Sequence, residues 1–377
     1  MNYHLLPIRV GVFMLLVLAA AGCATQQPLL DARALPELSN IDAEQWALAT
    51  APGSSDALLA LTDEMREFVD AHVTERRDKD RRVRQLTRAV LHPGSLGVDY
   101  DDAFTGSAQQ VFNRASGNCL SLSMLFVAMA RYADIDASFY EVDVIPNWTR
   151  SDDIIFATRH VNVGGKVSAD AEFVMDFSPD IVRREIRRRK MRDREAYAQY
   201  YNNLGARFLA DGDLPSAWLH FSEGLALAPQ VSFLWSNLAV VYSRNAQFDQ
   251  ARLALESALL LDGDNTSALT NLALMKASDG DESGAAALRE RIALLRQDNP
   301  YYQFALAENL LRSGDFDSAL DRLHAAIRLR DDEPLFFHGA AAAARGAGDV
   351  ALADRYIARA AKLDKARQAR HTRALNR

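Results

Sequence analysis

Gly117-Asn118-Cys119-Leu120-Ser121-Leu122-Ser123-Met124-Leu125-Phe126-Val127-Ala128-Met129-Ala130-Arg131 is the stretch around which the chain is organised. From Cys119 onward, Leu122, Leu125, Phe126 and Met129 recur at helical spacing, which predicts a buried or amphipathic helix. Gly117 and Asn118 interrupt what precedes it, and Asn is a good N-cap. Cys119 therefore falls in the first helical turn, where unpaired backbone N–H groups and the macrodipole favour a thiolate. A small residue on an apolar helix is ordinarily core packing, and free cysteine is among the most buried residue types. Only the rest of the chain can raise Cys119 above that.

Upstream, two helical patterns run through Leu58, Leu61, Met65 and Phe68, then through Val83, Leu86 and Val90, the second ended by Pro93-Gly94. His72 and His92, in or just after these helices, read as surface or packing residues. Downstream the period changes to two. Ser138 to Ile145 reads as a strand stopped at Pro146, and a polar loop with Trp148 comes next. Ile154 to Val163 reads as a second strand carrying His160, Gly164-Gly165 as a turn, and Ala171 to Phe177 as a third strand carrying Asp176. Helices followed by an antiparallel sheet on the central helix make an α+β domain over 55–180.

Thiol acyl transfer needs a nucleophilic thiolate, an imidazole to generate it and a third group to orient the imidazole. Cys119 on a helix start, His160 on a strand and Asp176 on the next strand supply these types in order. Neighbouring strands of a hairpin set His160 and Asp176 side by side. Asp176, between Met175 and Phe177, is an odd place for a carboxylate without a partner. Asn162 shares the strand face of His160, and Asp170 or Glu172 would replace Asp176 in a shifted register. The Cys119 backbone N–H is the first oxyanion donor, with Gln109, Gln110 or Asn118 as side-chain alternatives.

The segments Gly117-Asn118-Cys119-Leu120-Ser121, Arg159-His160-Val161 and Met175-Asp176-Phe177 resemble the transglutaminase-like superfamily of papain-like thiol enzymes. The resemblance covers roughly residues 55–180. It implies Cys119 as nucleophile, His160 as general base and acid, and Asp176 as the orienting carboxylate. It implies a protease, amidase or acyltransferase, or else an inactive binding module, because the fold alone does not fix the reaction.

The N-terminus reads as a targeting segment. Arg9 supplies positive charge, Val10 to Ala21 are apolar but short for a bilayer crossing, and small residues lead to Cys23. This resembles a bacterial lipoprotein signal peptide (1–22) with Cys23 lipidated, although Ala20 stands where that pattern prefers Leu. The resemblance implies a membrane anchor in the cell envelope, and Ala24 after the cysteine implies the outer membrane, facing the periplasm. With only two cysteines in the chain, lipidation of Cys23 leaves Cys119 as a lone thiol in an exported protein, where disulfides are the usual fate. Residues 23–54, rich in Ala, Gln, Pro and Ser, read as a tether.

Residues 181–196, with Arg183, Arg184, Arg187, Arg188, Arg189, Lys190, Arg192 and Arg194, read as a solvated basic helix linking two domains. Beyond it the chain repeats: Ala217, Ala251, Ala285, Ala319 and Ala353 are each 34 residues apart. Gly212, Ala246, Gly280, Gly314 and Gly348 stand five positions earlier, at the turn between paired helices. Leu204, Leu238, Leu272, Leu306 and Ala340 share one register. The first two units are fullest, with Tyr201, Phe208 and Phe221, then Trp235, Tyr242 and Leu255. Lys276 and Arg289 thin the third. The period and small/large pattern resemble tetratricopeptide repeats, implying an all-α superhelix over 197–367 whose concave face holds a protein or peptide. His220, His324 and His338 read as surface or packing residues, and 368–377 as a fraying basic tail.

The chain of 377 residues is 49% hydrophobic and 25% charged with net charge −7, which gives no reason to expect nucleic acid as a partner. No Cys or His pair has metal-ligand spacing and no Gly-rich phosphate loop is present, so no cofactor is implied. Two function classes remain: a thiol enzyme acting on protein or peptide amides with its substrate recruited by the repeats, and a non-catalytic envelope scaffold.

Overall fold

The computed structural model describes residues 28–75, 77–144, 160–168, 171–177 and 185–375. The signal segment, Cys23, Trp148, Asp170 and Arg183 lie outside the described residues.

The first described stretch corrects the tether expectation. Residues 28–50 are a strap laid along the repeats, with a short helix α1 (Ala43–Leu48). Leu38 is buried, and Leu30, Leu35, Ile41 and Trp46 pack with it on the repeat core. The strap backbone is bonded throughout: Leu29 N to Ser257 Oγ at 2.8 Å, Pro36 O accepting from Tyr242 Oη at 2.6 Å, and Thr50 N to Ser216 Oγ at 2.8 Å. Apolar residues scattered through a Pro- and Gln-rich segment carry no period, so the composition conceals them.

Helices α2 (Asp63–His72) and α3 (Lys79–Leu91) come next, capped by Thr62 and Asp78. Strand β1 (Asp99–Tyr100), helix α4 (Ala108–Arg114) and strand β2 (Ser116–Gly117) lead to helix α5 (Cys119–Tyr132). Asn118 caps α5, its Oδ1 accepting from Ser121 N at 3.0 Å. Every residue from Leu120 to Ala130 is buried, so this helix is the axis of the N-terminal core.

Strands β3 (Ser138–Val144), β4 (His160–Lys166), β5 (Glu172–Met175) and β6 (Glu185–Lys190) form one antiparallel sheet in the order β5-β4-β3-β6. Two expectations fail here. Gly164-Gly165 is not a turn: both glycines lie within β4, and the hairpin closes later, where Val167 N bonds Ala171 O. They are needed for close approach. A Cβ on Gly165 would fall 1.6 Å from the Asp136 carbonyl oxygen, and one on Gly164 1.9 Å from Arg188 Nη2. Nor is the basic run a helical linker, since residues 185–190 pair with β3. Ladder pairing and fixed partners for the arginines override an intrinsic preference for helix. Arg189 bonds Glu141 at 2.8 Å and Glu195 at 3.2 Å, tying the sheet to the first helix beyond it.

The rest of the chain is built as five helix pairs: α6 (Asp193–Ala210) and α7 (Leu214–Leu227), α8 (Ser232–Arg244) and α9 (Phe248–Leu261), α10 (Thr266–Ser278) and α11 (Glu282–Gln297), α12 (Pro300–Ser313) and α13 (Phe316–Leu329), α14 (Pro334–Gly346) and α15 (Val350–Leu375). The alanines spaced by 34 are all fully buried near the start of each second helix. The turn residues Gly212, Ala246, Gly280, Gly314 and Gly348 all have φ between 60° and 88°, the left-handed region that favours glycine. Helix α15 continues into the expected tail, as far as Leu375, because no Gly or Pro stops a run rich in Ala, Arg and Leu.

Helix α6 belongs to two cores: Ala196, Tyr200 and Tyr201 pack with α5, while Ala198 packs into the first repeats. Arg131 on α5 makes a bidentate pair with Asp193 at its start. The repeat core is continuous to Leu272 and resumes at Tyr301. Between them α11 buries only Ala285 and Ile292, and Lys276 and Arg289 form surface ion pairs with Asp281 and Glu282.

Candidate active site

Cys119 is the first residue of α5, half-buried and unoxidised. The loop before the helix folds over its start. Asn118 N bonds Phe104 O at 3.0 Å, Gly106 N bonds Ser121 Oγ at 2.9 Å, and β1 runs parallel to β2 with Tyr100 opposite Gly117.

Strand alternation separates the roles on β4. Val161 and Val163 join the apolar core, and His160 and Asn162 share the other face. The β4–β5 register pairs Val163 with Met175, which sets Asp176 opposite Asn162 and diagonal to His160. His160 Nε2 lies 2.9 and 2.8 Å from the two Asp176 oxygens, and both side chains are buried. Cys119 lies close enough to the same imidazole to act on its basicity. With Nε2 engaged by Asp176, Nδ1 is left for the sulfur. Burial works to lower the basicity of His160, but the Asp176 hydrogen bond and the Cys119 thiol outweigh it and raise the pKa to about 9. The ring is thus an imidazolium at neutral pH, facing a thiol at a helix N-terminus.

The structure therefore brings Cys119, His160 and Asp176 together. Glu172 is exposed, its backbone paired with Lys166, away from the imidazole. Asn118 is engaged at both ends, accepting from Ser121 and donating to Thr105 Oγ1 at 2.8 Å. Gln110 turns back on the α4 cap, accepting from Ser107 N, and Gln109 is exposed. The first-turn N–H groups of α5 are the backbone donors that the helix start offers, that of Ser121 being already taken by Asn118.

Two neighbours escaped the sequence reading. Tyr100, half exposed, has its phenol pushed up to about 12 by burial and by the charges of Cys119, Asp102 and Asp176. It stands near the thiol as a neutral O–H. Arg188 on β6 bonds Asn162, 3.0 Å from Nε to Oδ1. A two-residue strand and an arginine in a charge run give no signal of either.

Three histidines of the repeats have partners within the repeats. His220 is buried against Phe208 and bonds Ser216 O at 2.7 Å. His324 bonds Tyr356 and His338 bonds Asp364. Among the described residues, no three His, Cys, Asp or Glu side chains gather as metal ligands would, and no helix is long and apolar enough to cross a membrane. In the repeats, a groove of about 310 Å³ lies between α8 and α10, lined by Arg244, Phe248, Asn271, Leu274 and Asp279, with Phe248 and Leu274 exposed.

No family model and no curated protein matches the chain. Among solved structures, a crystal structure of MamA is 17% identical over 45% of this chain and 92% of its own, with a TM-score of 0.25. MamA from Desulfovibrio magneticus is 12% identical over 45% and 96%, at 0.25. YrrB, described as a TPR protein with an unusual peptide-binding site, is 18% identical over 48% and 90%, also at 0.25. The chain carries a helical repeat superhelix preceded by a smaller sheet-containing region, an assignment that rests on the 34-residue helix register.

Proposed function

We propose that this protein is a thiol acyl-transfer enzyme of transglutaminase-like type, acting on protein or peptide amides that the repeats recruit. The observation that supports it best is the buried His160–Asp176 pair, 2.8 Å apart, with Cys119 at the start of its helix near enough to raise the basicity of His160. Cys119 Sγ attacks the amide carbonyl carbon, and the oxyanion is met by first-turn N–H groups of α5. The His160 imidazolium gives its proton to the leaving amine as the C–N bond breaks, leaving a thioester on Cys119. Water, or a second amine, then attacks the thioester with His160 taking its proton, and the thiol is regenerated. Asp176 holds the ring in the orientation both steps need. The groove between α8 and α10 offers an apolar floor flanked by Arg244 and Asp279, suited to an extended peptide. On this reading Cys23 carries lipid, and the protein is anchored in the cell envelope, at the outer membrane facing the periplasm.

Iodoacetamide at pH 6 tests the chemistry, because an ordinary thiol is less than ~1% ionised there. Cys119 is expected to react readily, His160→Ala to react far more slowly, and Asp176→Ala to fall between. Equal, slow alkylation in wild type and His160→Ala leaves the non-catalytic scaffold in its place. Anchoring is tested by fatty-acid labelling, which Cys23→Ser is expected to abolish.

A further inference from the structure

We propose that Arg188 and Asn162 are positioning residues of the thiol site, with Arg188 fixing the Asn162 amide so that Asn162 holds Asp176 against His160. This rests on the thiol reading above. The route is continuous: Arg188 Nε donates to Asn162 Oδ1 at 3.0 Å, Asn162 Nδ2 donates to Asp176 Oδ2 at 3.2 Å, and the same Oδ2 lies 2.8 Å from His160 Nε2.

The direction of these hydrogen bonds is set by the two ends. Arginine has donors and no acceptor, and a carboxylate only accepts. The asparagine between them has one consistent setting, oxygen to Arg188 and NH₂ to Asp176. Without the arginine the amide oxygen loses its donor, and the buried amide is held only by its bond to the carboxylate. Asn162 is fully buried, so no bulk water competes for these bonds.

Arg188 itself is held from two sides. Its guanidinium lies 3.7 Å above the Tyr140 ring on β3, a stacked cation–π contact. It also occupies the space a side chain at Gly164 would fill, 1.9 Å from where that Cβ would stand. One arginine of the basic run is thereby aimed at the site, and a glycine inside β4 acquires a reason beyond the backbone.

Alkylation of Cys119 by iodoacetamide in the full-length protein, at pH 6 and at pH 10, tests the proposal. Arg188→Met and Asn162→Leu are expected to slow the reaction at pH 6 by roughly 3- to 10-fold, what one lost hydrogen bond is worth. At pH 10 an ordinary thiol, with a pKa of ~8.5, needs no imidazole to become a thiolate, so both should match wild type. Gly164→Ala, which removes no polar group and displaces the guanidinium, should reproduce the pH 6 loss. Wild-type rates at pH 6 in all three variants, with His160→Ala slow, would overturn the positioning role and leave the thiol site standing. Slowing by the same factor at both pH values would mark Arg188 and Asn162 as general sheet contacts and also overturn it. A wild-type rate in His160→Ala would remove the thiol site, and this inference with it.

Discussion

The repeats and the thiol region are both built on helices whose apolar faces are buried, yet they are specified in opposite ways. In the repeats a buried residue has a counterpart 34 positions along: Ala217, Ala251, Ala285, Ala319 and Ala353 solve one packing problem five times. In the thiol region His160, Asn162, Asp176 and Arg188 each occur once, joined by directed hydrogen bonds. Small residues at helix crossings tolerate no bulk, so the repeats are fixed by volume. The sheet face behind Cys119 is fixed by which atoms donate and which accept. A periodic core weakens where one copy is poor, as at α11, whereas a polar line fails at any member.

The largest expected effect breaks the volume rule. Ala251→Arg puts a long cation at a fully buried helix crossing. Overpacking alone costs ~1–3 kcal/mol and the unpaired charge adds to it. Loss of cooperative urea unfolding, or a midpoint shift equivalent to more than about 3 kcal/mol, is expected. A shift within error would mean that the register is misplaced. Next, Leu38→Ala should cost about 2 kcal/mol, the low end for a buried leucine, because Leu38 is only 3% exposed. A dangling tether would register nothing in the same experiment.

The polar line is sharpened by pH. His160 is raised to about 9 in the folded chain, above its ordinary ~6.5. The stabilisation it contributes is therefore complete below about pH 6.5 and is lost as pH rises through about 9. Wild type should be more stable than His160→Gln at pH 6, with the gap closing by pH 9.5; a gap constant with pH would mean the ring is held by packing alone. The smallest effect concerns the turns. Ala246 sits at φ 60° where its four counterparts are glycine, so Ala246→Gly should stabilise by about 1 kcal/mol and Gly280→Ala cost as much. Gly280 has open space around it, so the cost there is conformational. Midpoints that move in the opposite directions would refute a common turn.

What could be read from the chain alone obeys the same division. The repeats were legible because their signal is summed over five copies, down to the turn between paired helices. Cys119, His160 and Asp176 were legible through their chemistry, since a carboxylate between Met175 and Phe177 needs a reason. The strap was not, because Leu30, Leu35, Leu38 and Trp46 trace the contour of another surface rather than a helix or strand period. Strand β6 was not, because its residues answer to Glu141, Glu195, Asn162 and the Tyr140 ring, partners outside the run itself. Gly164-Gly165 misled for a related reason, their missing side chains making room for distant atoms.

Helix α6 has two owners, one face in the core around α5 and the other in the first repeat, with Arg131 bolted to its first turn. The two halves thus share a helix as well as an ion pair. On the enzyme reading, that shared helix sets how far a segment held along the first repeats lies from Cys119. Selection would then depend on the spacing between the gripped segment and the bond brought to Cys119, and lengthening that spacer by a residue would miss the thiol as surely as changing the gripped sequence.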